Sequence, residues 1–268
     1  MKRLELFEFE DFNWLPIFIR SGITKLIIVL HRFIGTSEVI TNLIIEIQKK
    51  SHFNQIIDLG SGAGGPMLDV IQRLQSKHTN LELILTDLYP NQTIVKTINN
   101  KKLAHVTYSK TALDATNVNE VSQGLKTMIA SFHHMKPNIA KKILKSAQDS
   151  NSPILIYEIA KNTIPTLIWW LLLPISLLIL MVMSLVMTLF VKPLSLAQIV
   201  STYLIPIIPI IYAWDGQASL MRTYTFKDVK TLLPEKDEKN YEWIIADAQK
   251  LNGKKLGYCI MGYPKMNT

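Results

Sequence analysis

The chain of 268 residues has one cysteine, Cys259, so no intrachain disulfide can form. Cys259 stands in an apolar, strand-like run and reads as a small core side chain. That usage fits a reducing compartment. No Cys or His cluster accompanies the one adjacent histidine pair, His133-His134, so no metal site is expected. The net charge is +8, but the lysines are scattered, and no aromatic-and-basic recognition motif accompanies them. A nucleic-acid partner is therefore not expected, and attraction to anionic lipid is as good a reading of the charge. There is no internal repeat and no low-complexity segment. Met1 to Asp11 is rich in Glu and Asp and has no apolar run followed by a cleavage site, so no signal peptide is expected. Charge itself is missing from two long stretches, Ile164 to Val191 and Leu194 to Ala213, which Lys192-Pro193 separates.

Those stretches, with a hydrophobic content of 48%, predict membrane contact. The first is long enough to cross a bilayer with tilt. Trp169, Trp170, Tyr203, Tyr212 and Trp214 stand near the ends of the runs, where interfacial aromatics belong. A hairpin that crosses and returns, or dips into one leaflet, is expected; a large buried hairpin of a soluble protein is the plain alternative. Lys161, Arg222 and Lys227 flank the hairpin, against Lys192 at its tip, which favours a catalytic domain on the cytoplasmic side. Trp14 to Phe33 is apolar but interrupted by Arg20, Lys25, His31 and Arg32, so it predicts an amphipathic helix lying on a membrane or packed on the protein.

The rest of the chain alternates strand and helix. Ser37–Lys50 reads as a helix. Gln55–Leu59, Leu81–Thr86, His105–Ser109, Thr127–Ser131 and Pro153–Glu158 read as strands. Pro66–Ser76, Pro90–Asn99, Val118–Gly124 and Pro137–Asp149 read as the helices between them. Such alternation predicts an α/β fold, a parallel sheet covered on both faces. After the apolar runs, Thr225–Leu233 reads as a capped helix. Tyr241–Ala246 and Gly257–Met261 read as strands joined by the turn Asn252-Gly253, and two strands so close are expected to be antiparallel neighbours. The division expected is a helical region 1–50, a first sheet part 51–162, a membrane hairpin 163–213 and a closing sheet part 214–268.

Gly60, Gly62, Gly64 and Gly65 follow the first strand and precede a helix. A turn with almost no side chains brings backbone N–H groups and a helix N-terminus against a ligand. Gly60, Gly62 and Gly65 also satisfy the dinucleotide-binding spacing, with Asp87 where a ribose-binding acid is expected. Asp58 replaces the apolar residue usual two places before the first glycine, and its carboxylate suits the amino group and sulfonium of S-adenosylmethionine. Asp114, after the third strand, can accept a hydrogen bond from an adenine amino group. The C-terminal strand pair does not suit a second nucleotide-binding half.

These residues resemble class I S-adenosylmethionine-dependent methyltransferases over about Asn54 to Lys161, resuming at Trp214. Asp58-Leu59-Gly60-Ser61-Gly62-Ala63-Gly64-Gly65 is similar to the family's first motif and Thr86-Asp87-Leu88 to its second. Leu113-Asp114-Ala115 matches the adenine loop, and Ile129 to His134 resembles the fourth-strand motif beside the methyl donor. The resemblance implies a Rossmann-like seven-stranded sheet with its last strand antiparallel. It implies S-adenosylmethionine as cofactor, held by Asp58, Gly60, Ser61, Gly62, Gly64, Asp87, Leu88, Asp114, Ala115 and Ser131. A hydrophobic hairpin inserted after the fifth strand is a departure. In the family this region often lies over the acceptor pocket, so an apolar, membrane-resident acceptor is expected. His133 or His134 can serve as general base, or both can shape the donor pocket. Glu158, Asp215, Arg222 and Tyr224 are candidates for orienting the acceptor; an Asp215–Arg222 ion pair that fastens the hairpin is the plainer reading. Two other functions remain open on sequence: a membrane-anchored interaction protein with a vestigial methyltransferase domain, and a nicotinamide-dependent reductase.

Overall fold

The computed structural model describes residues 1–77, 80–117, 123–235, 237 and 240–265. They form two compact units, one of residues 35–160 and 226–268 and the other of residues 1–34 and 161–225.

The first unit is built on a seven-stranded sheet. In chain order its strands are β1 (Gln55–Leu59), β2 (Glu82–Thr86), β3 (Val106–Tyr108), β4 (Leu125–Ile129), β5 (Ile154–Glu158), β6 (Tyr241–Gln249) and β7 (Lys255–Pro264). They lie side by side as β3-β2-β1-β4-β5-β7-β6. Pairings among β1 to β5 are parallel, and β7 runs antiparallel to both β5 and β6. This is the sheet the resemblance implies, last strand included. The parallel strands β1 to β5 are short and mostly apolar, as strands covered on both faces tend to be. Ile56, Leu83, Leu125, Leu155 and Cys259 bury one face against α2 (Thr36–Gln48) and α3 (Met67–Ser76). Alternate residues such as Ile57, Ile156 and Ile260 are buried on the other face, since side chains change sides at each step. The helices α4 (Gln92–Asn100), α5 (Pro137–Asp149) and α9 (Phe226–Leu232) complete this unit.

Several boundaries differ from the expected ones, most of them by one or two residues. β4 begins and ends two residues earlier than Thr127–Ser131, because Ala130 adopts a left-handed φ of 52° that stops the strand. β6 and β7 run further than expected, making a longer hairpin. The helix expected over 118–124 falls mostly outside the described residues.

The second unit is helical. It contains α1 (Ile17–Ile34), α6 (Thr166–Thr188), the short α7 (Leu196–Ile199) continued by a π-helical turn (Val200–Leu204), and α8 (Ile207–Arg222). Leu15, Ile19, Ile23 and Leu26 from α1 and its approach pack with Met187, Val191, Ile208 and Ile211. Among the described residues, α6 is the one helix long and apolar enough by itself to cross a membrane. The second apolar run is not one helix: it bends by 78° between the π turn and α8. Pro206 has no N–H to continue the ladder, and it pushes the preceding Ile205 to an extended φ of −125°. Beyond the bend α8 passes the expected end at Ala213 and continues through Asp215 to Arg222, so both stand on a helix and not in a loop.

Candidate active site

The site is built at the carboxyl ends of β1, β2, β4 and β5, the edge where parallel sheets bind ligands. The turn after β1 is fixed from several sides. The Ser61 backbone N–H donates to the Thr86 carbonyl at 2.9 Å, and the Ser61 hydroxyl donates to the Asp58 carbonyl at 2.8 Å. The Thr86 hydroxyl donates to the same carbonyl at 2.7 Å. Gly62 has a φ of 53°, and a Cβ built there would meet nothing within 4 Å. Its N–H donates to Asp87 Oδ2 at 3.1 Å, and its carbonyl accepts the Tyr108 hydroxyl at 2.8 Å. The space beside Gly62 is thus open to a ligand.

Asp87 is half-buried, and Oδ1 accepts a second backbone N–H, from Tyr89, at 2.9 Å. Both of its oxygens are therefore oriented by main chain before any ligand arrives. Leu88 beside it is exposed. The Leu113 N–H donates to the Asp87 carbonyl at 2.9 Å, which brings the Asp114-Ala115 loop to the same edge. Asp114 is exposed and accepts the Thr116 N–H at 2.8 Å, closing an Asx turn.

Asp58 is buried at the end of β1 and accepts the Thr127 hydroxyl at 2.7 Å. Thr127 is its register partner across the β1–β4 ladder. Burial pushes this carboxyl up to about 6, against the pull of the Thr127 hydrogen bond, and the charge of Asp87 adds to the rise. A cation placed beside Asp58 would restore its ionised form. Ser131 lies next to Gly60: its Oγ is 3.7 Å from where a Gly60 Cβ would stand. That hydroxyl is buried without a hydrogen-bond partner among the described residues. A buried donor without a partner costs on the order of 1–3 kcal/mol, unless something polar arrives to take it.

His133 and Glu158 form a buried pair. His133 Nδ1 lies 2.9 Å from Glu158 Oε2, and the His133 backbone N–H donates to Oε1 at 3.0 Å. The carboxylate thus grips the residue twice, fixing ring orientation and tautomer together. The His134 ring lies 4.3 Å from that of His133, tilted by 35°.

The other three candidates belong to the helical unit, where their side chains meet the N-terminal segment. Asp215 accepts the N–H groups of Phe9 and Glu10 at 2.7 and 3.2 Å. Arg222 bonds Glu8 at 3.0 Å and Asp11 at 2.6 Å. Tyr224 carries the Arg3 guanidinium 5.1 Å above its ring. The hairpin is fastened, but through these groups and not through an Asp215–Arg222 pair.

Sequence reasoning passed over the hydroxyls of Thr127 and Tyr108, which signal only once the register of the sheet is known.

No protein-family model and no curated protein matches the chain. Among solved structures it is similar to the CurJ carbon methyltransferase, at 11% identity over 86% of this chain and 54% of that one, with a TM-score of 0.47. It is also similar to the pyocyanin biosynthetic protein PhzM, at 13% identity over 82% of this chain and 53% of that one, with a TM-score of 0.44. A third is a SAM-dependent methyltransferase from Aquifex aeolicus, at 12% identity over 84% of this chain and 88% of that one, with a TM-score of 0.43. The chain spans about half the length of the first two. Strand order β3-β2-β1-β4-β5-β7-β6 with an antiparallel β7 gives this unit the Rossmann-like sheet of the class I methyltransferase fold.

Proposed function

We propose that the chain is an S-adenosylmethionine-dependent methyltransferase whose acceptor is apolar and drawn from a membrane. One observation carries the first half: an open glycine turn bonded to Asp87, with the partnerless Ser131 hydroxyl beside it. The residues present fit the donor. Asp87 would accept the ribose hydroxyls and Asp114 the adenine amino group. Asp58 would face the methionyl ammonium, and the Gly60–Gly64 turn with Ser131 would border the methionyl part. Leu88 and Ala115 would flank the base. Bound there, the donor supplies a methyl group on a sulfonium, open to direct displacement.

The chain's own contribution is alignment and proton removal. Alignment accounts for much of the acceleration in such transfers. With Nδ1–H directed at Glu158, Nε2 of His133 is the nitrogen that takes a proton from an acceptor hydroxyl or amine. Glu158 stabilises the resulting imidazolium. The apolar-acceptor half rests on the part of the helical unit, residues 161–225, that the chain inserts between β5 and α9, whose α6 presents an uncharged, exposed face.

Calorimetry with S-adenosylmethionine is the direct test. Binding is expected, weakened at least tenfold in Asp87→Ala; absent binding, or binding indifferent to that change, overturns the donor assignment. Incubation with methyl-labelled donor and total membrane lipid is expected to label a lipid-soluble product. Label confined to water-soluble products overturns the acceptor class.

A further inference from the structure

The turn after β1 is loose by composition. Gly60, Gly62, Gly64 and Gly65 all hold a positive φ, and a glycine loses more conformational freedom than any other residue when it is fixed. A ligand that binds such a turn must order it, unless the protein has ordered it already. At Gly62 two side chains do so. Asp87 accepts the N–H at 3.1 Å, and the Tyr108 hydroxyl donates to the carbonyl at 2.8 Å.

These two restraints differ in kind. Asp87 is half-buried and, on the reading above, gives its oxygens to the ribose. Tyr108 is only 1% exposed and is not itself offered to a ligand. Burial pushes its phenol well above the ordinary value, and the charges of Asp87 and Asp58 add to the rise, so the hydroxyl stays a donor. Tyr108 is in turn held. It ends β3, an edge strand of three residues. On its open side the Asn99 amide stands in for a neighbouring strand. Nδ2 donates to the Tyr108 carbonyl at 3.0 Å, and Oδ1 accepts the Tyr108 N–H at 2.8 Å.

The Tyr108 hydroxyl also decides where the next N–H points. In a planar trans peptide the C=O and N–H groups point in opposite directions. Turning the Gly62 carbonyl to Tyr108 therefore turns the Ala63 N–H away from it. That N–H has no hydrogen-bond partner among the described residues. Donation to the carbonyl also polarises the peptide and strengthens its N–H as a donor. A buried tyrosine needs some acceptor for its hydroxyl; this one takes the carbonyl whose peptide carries an unused donor of the turn. We propose that Tyr108, seated by Asn99, is a positioning residue that fixes the Gly62–Ala63 peptide so that the Ala63 N–H meets the amino-acid part of the methyl donor. The inference rests on the S-adenosylmethionine assignment.

Calorimetry with three ligands tests it: S-adenosylmethionine, S-adenosylhomocysteine and 5′-methylthioadenosine, which keeps the nucleoside and lacks the amino-acid part. Tyr108→Phe leaves the ring in the core and removes only the hydroxyl. It should weaken the first two ligands by about tenfold and the third by less than about twofold, with kcat at saturating donor nearly unchanged. Asn99→Ala keeps the hydroxyl and loosens the backbone that carries it, so it should weaken the same two ligands by about threefold. It decides the matter if Tyr108→Phe does not fold. Equal weakening of all three ligands would make Tyr108 a support of the whole fold and overturn the inference, as would unchanged binding of all three. Wild-type protein that binds none of them overturns the donor assignment instead.

Discussion

Asp58 is the residue where ligand binding and folding pull in opposite directions. Its folded pKa of about 6 lies above the ordinary 3.8. Between those values the folded chain holds a proton that the unfolded chain releases, so this group favours folding at low pH. The advantage is lost as pH rises through 6, and above it the buried charge costs on the order of 3 kcal/mol. Asp58→Asn keeps an oxygen for the Thr127 hydroxyl and removes that charge. Urea denaturation should find the variant more stable than wild type by ~2–3 kcal/mol at pH 8 and equal to it near pH 4, while affinity for S-adenosylmethionine falls at least tenfold. Equal stability at pH 8 would show that Asp58 is not a buried, uncompensated acid. His133 makes a separate prediction. Glu158→Gln should lower kcat by ~10²-fold or more and shift the pH–rate profile, leaving donor affinity within a factor of two. Loss of donor affinity instead would make the pair part of the binding site. The glycine turn, Asp58, Asp87 and Asp114 were legible because each ends a strand or follows one within a few residues. Thr127 and the Tyr108 hydroxyl come from strands far along the chain, and only pairing brings them to the turn.

Elements were legible where local sequence decides them. α5 begins and ends at the residues expected, with Pro137 at its first turn, and β1 and β5 depart by one residue at most. The second apolar run was not, because hydropathy reports burial in lipid or protein and is silent about direction; Pro206 bends what composition reads as continuous. β7 holds a constraint that no alternation pattern reveals. At Gly257, φ is 73°, and an added Cβ would stand 2.1 Å from the Glu158 carbonyl oxygen. That oxygen is main chain and cannot step aside. Gly257→Ala should destabilise the protein by ~3 kcal/mol or more, seen as a lowered denaturation midpoint. Because Glu158 is the residue displaced, what activity survives should show the altered pH profile of Glu158→Gln. A variant as stable as wild type would mean that β7 approaches β5 less closely than the structure has it.

For the molecule as a whole, the question is what an uncharged helix face does on a chain whose other unit is an ordinary buried-sheet domain. Leu171, Ile175 and Leu178 are each more than half exposed, so replacing all three with Gln removes little packing. The same change strips on the order of 1–2 kcal/mol of apolar transfer per side chain from a lipid-facing surface and adds the cost of burying an amide. Folding and donor binding should therefore be nearly unchanged, while partition onto vesicles falls at least a hundredfold in a sedimentation assay. Methyl transfer should divide by presentation. Toward an acceptor embedded in vesicles the triple variant should lose most of its rate; toward the same acceptor dispersed in detergent it should keep it, since the groups bordering the donor all come from the other unit. Equal loss in both assays would place this face inside the acceptor pocket, and no loss in either would leave it with another protein as its partner.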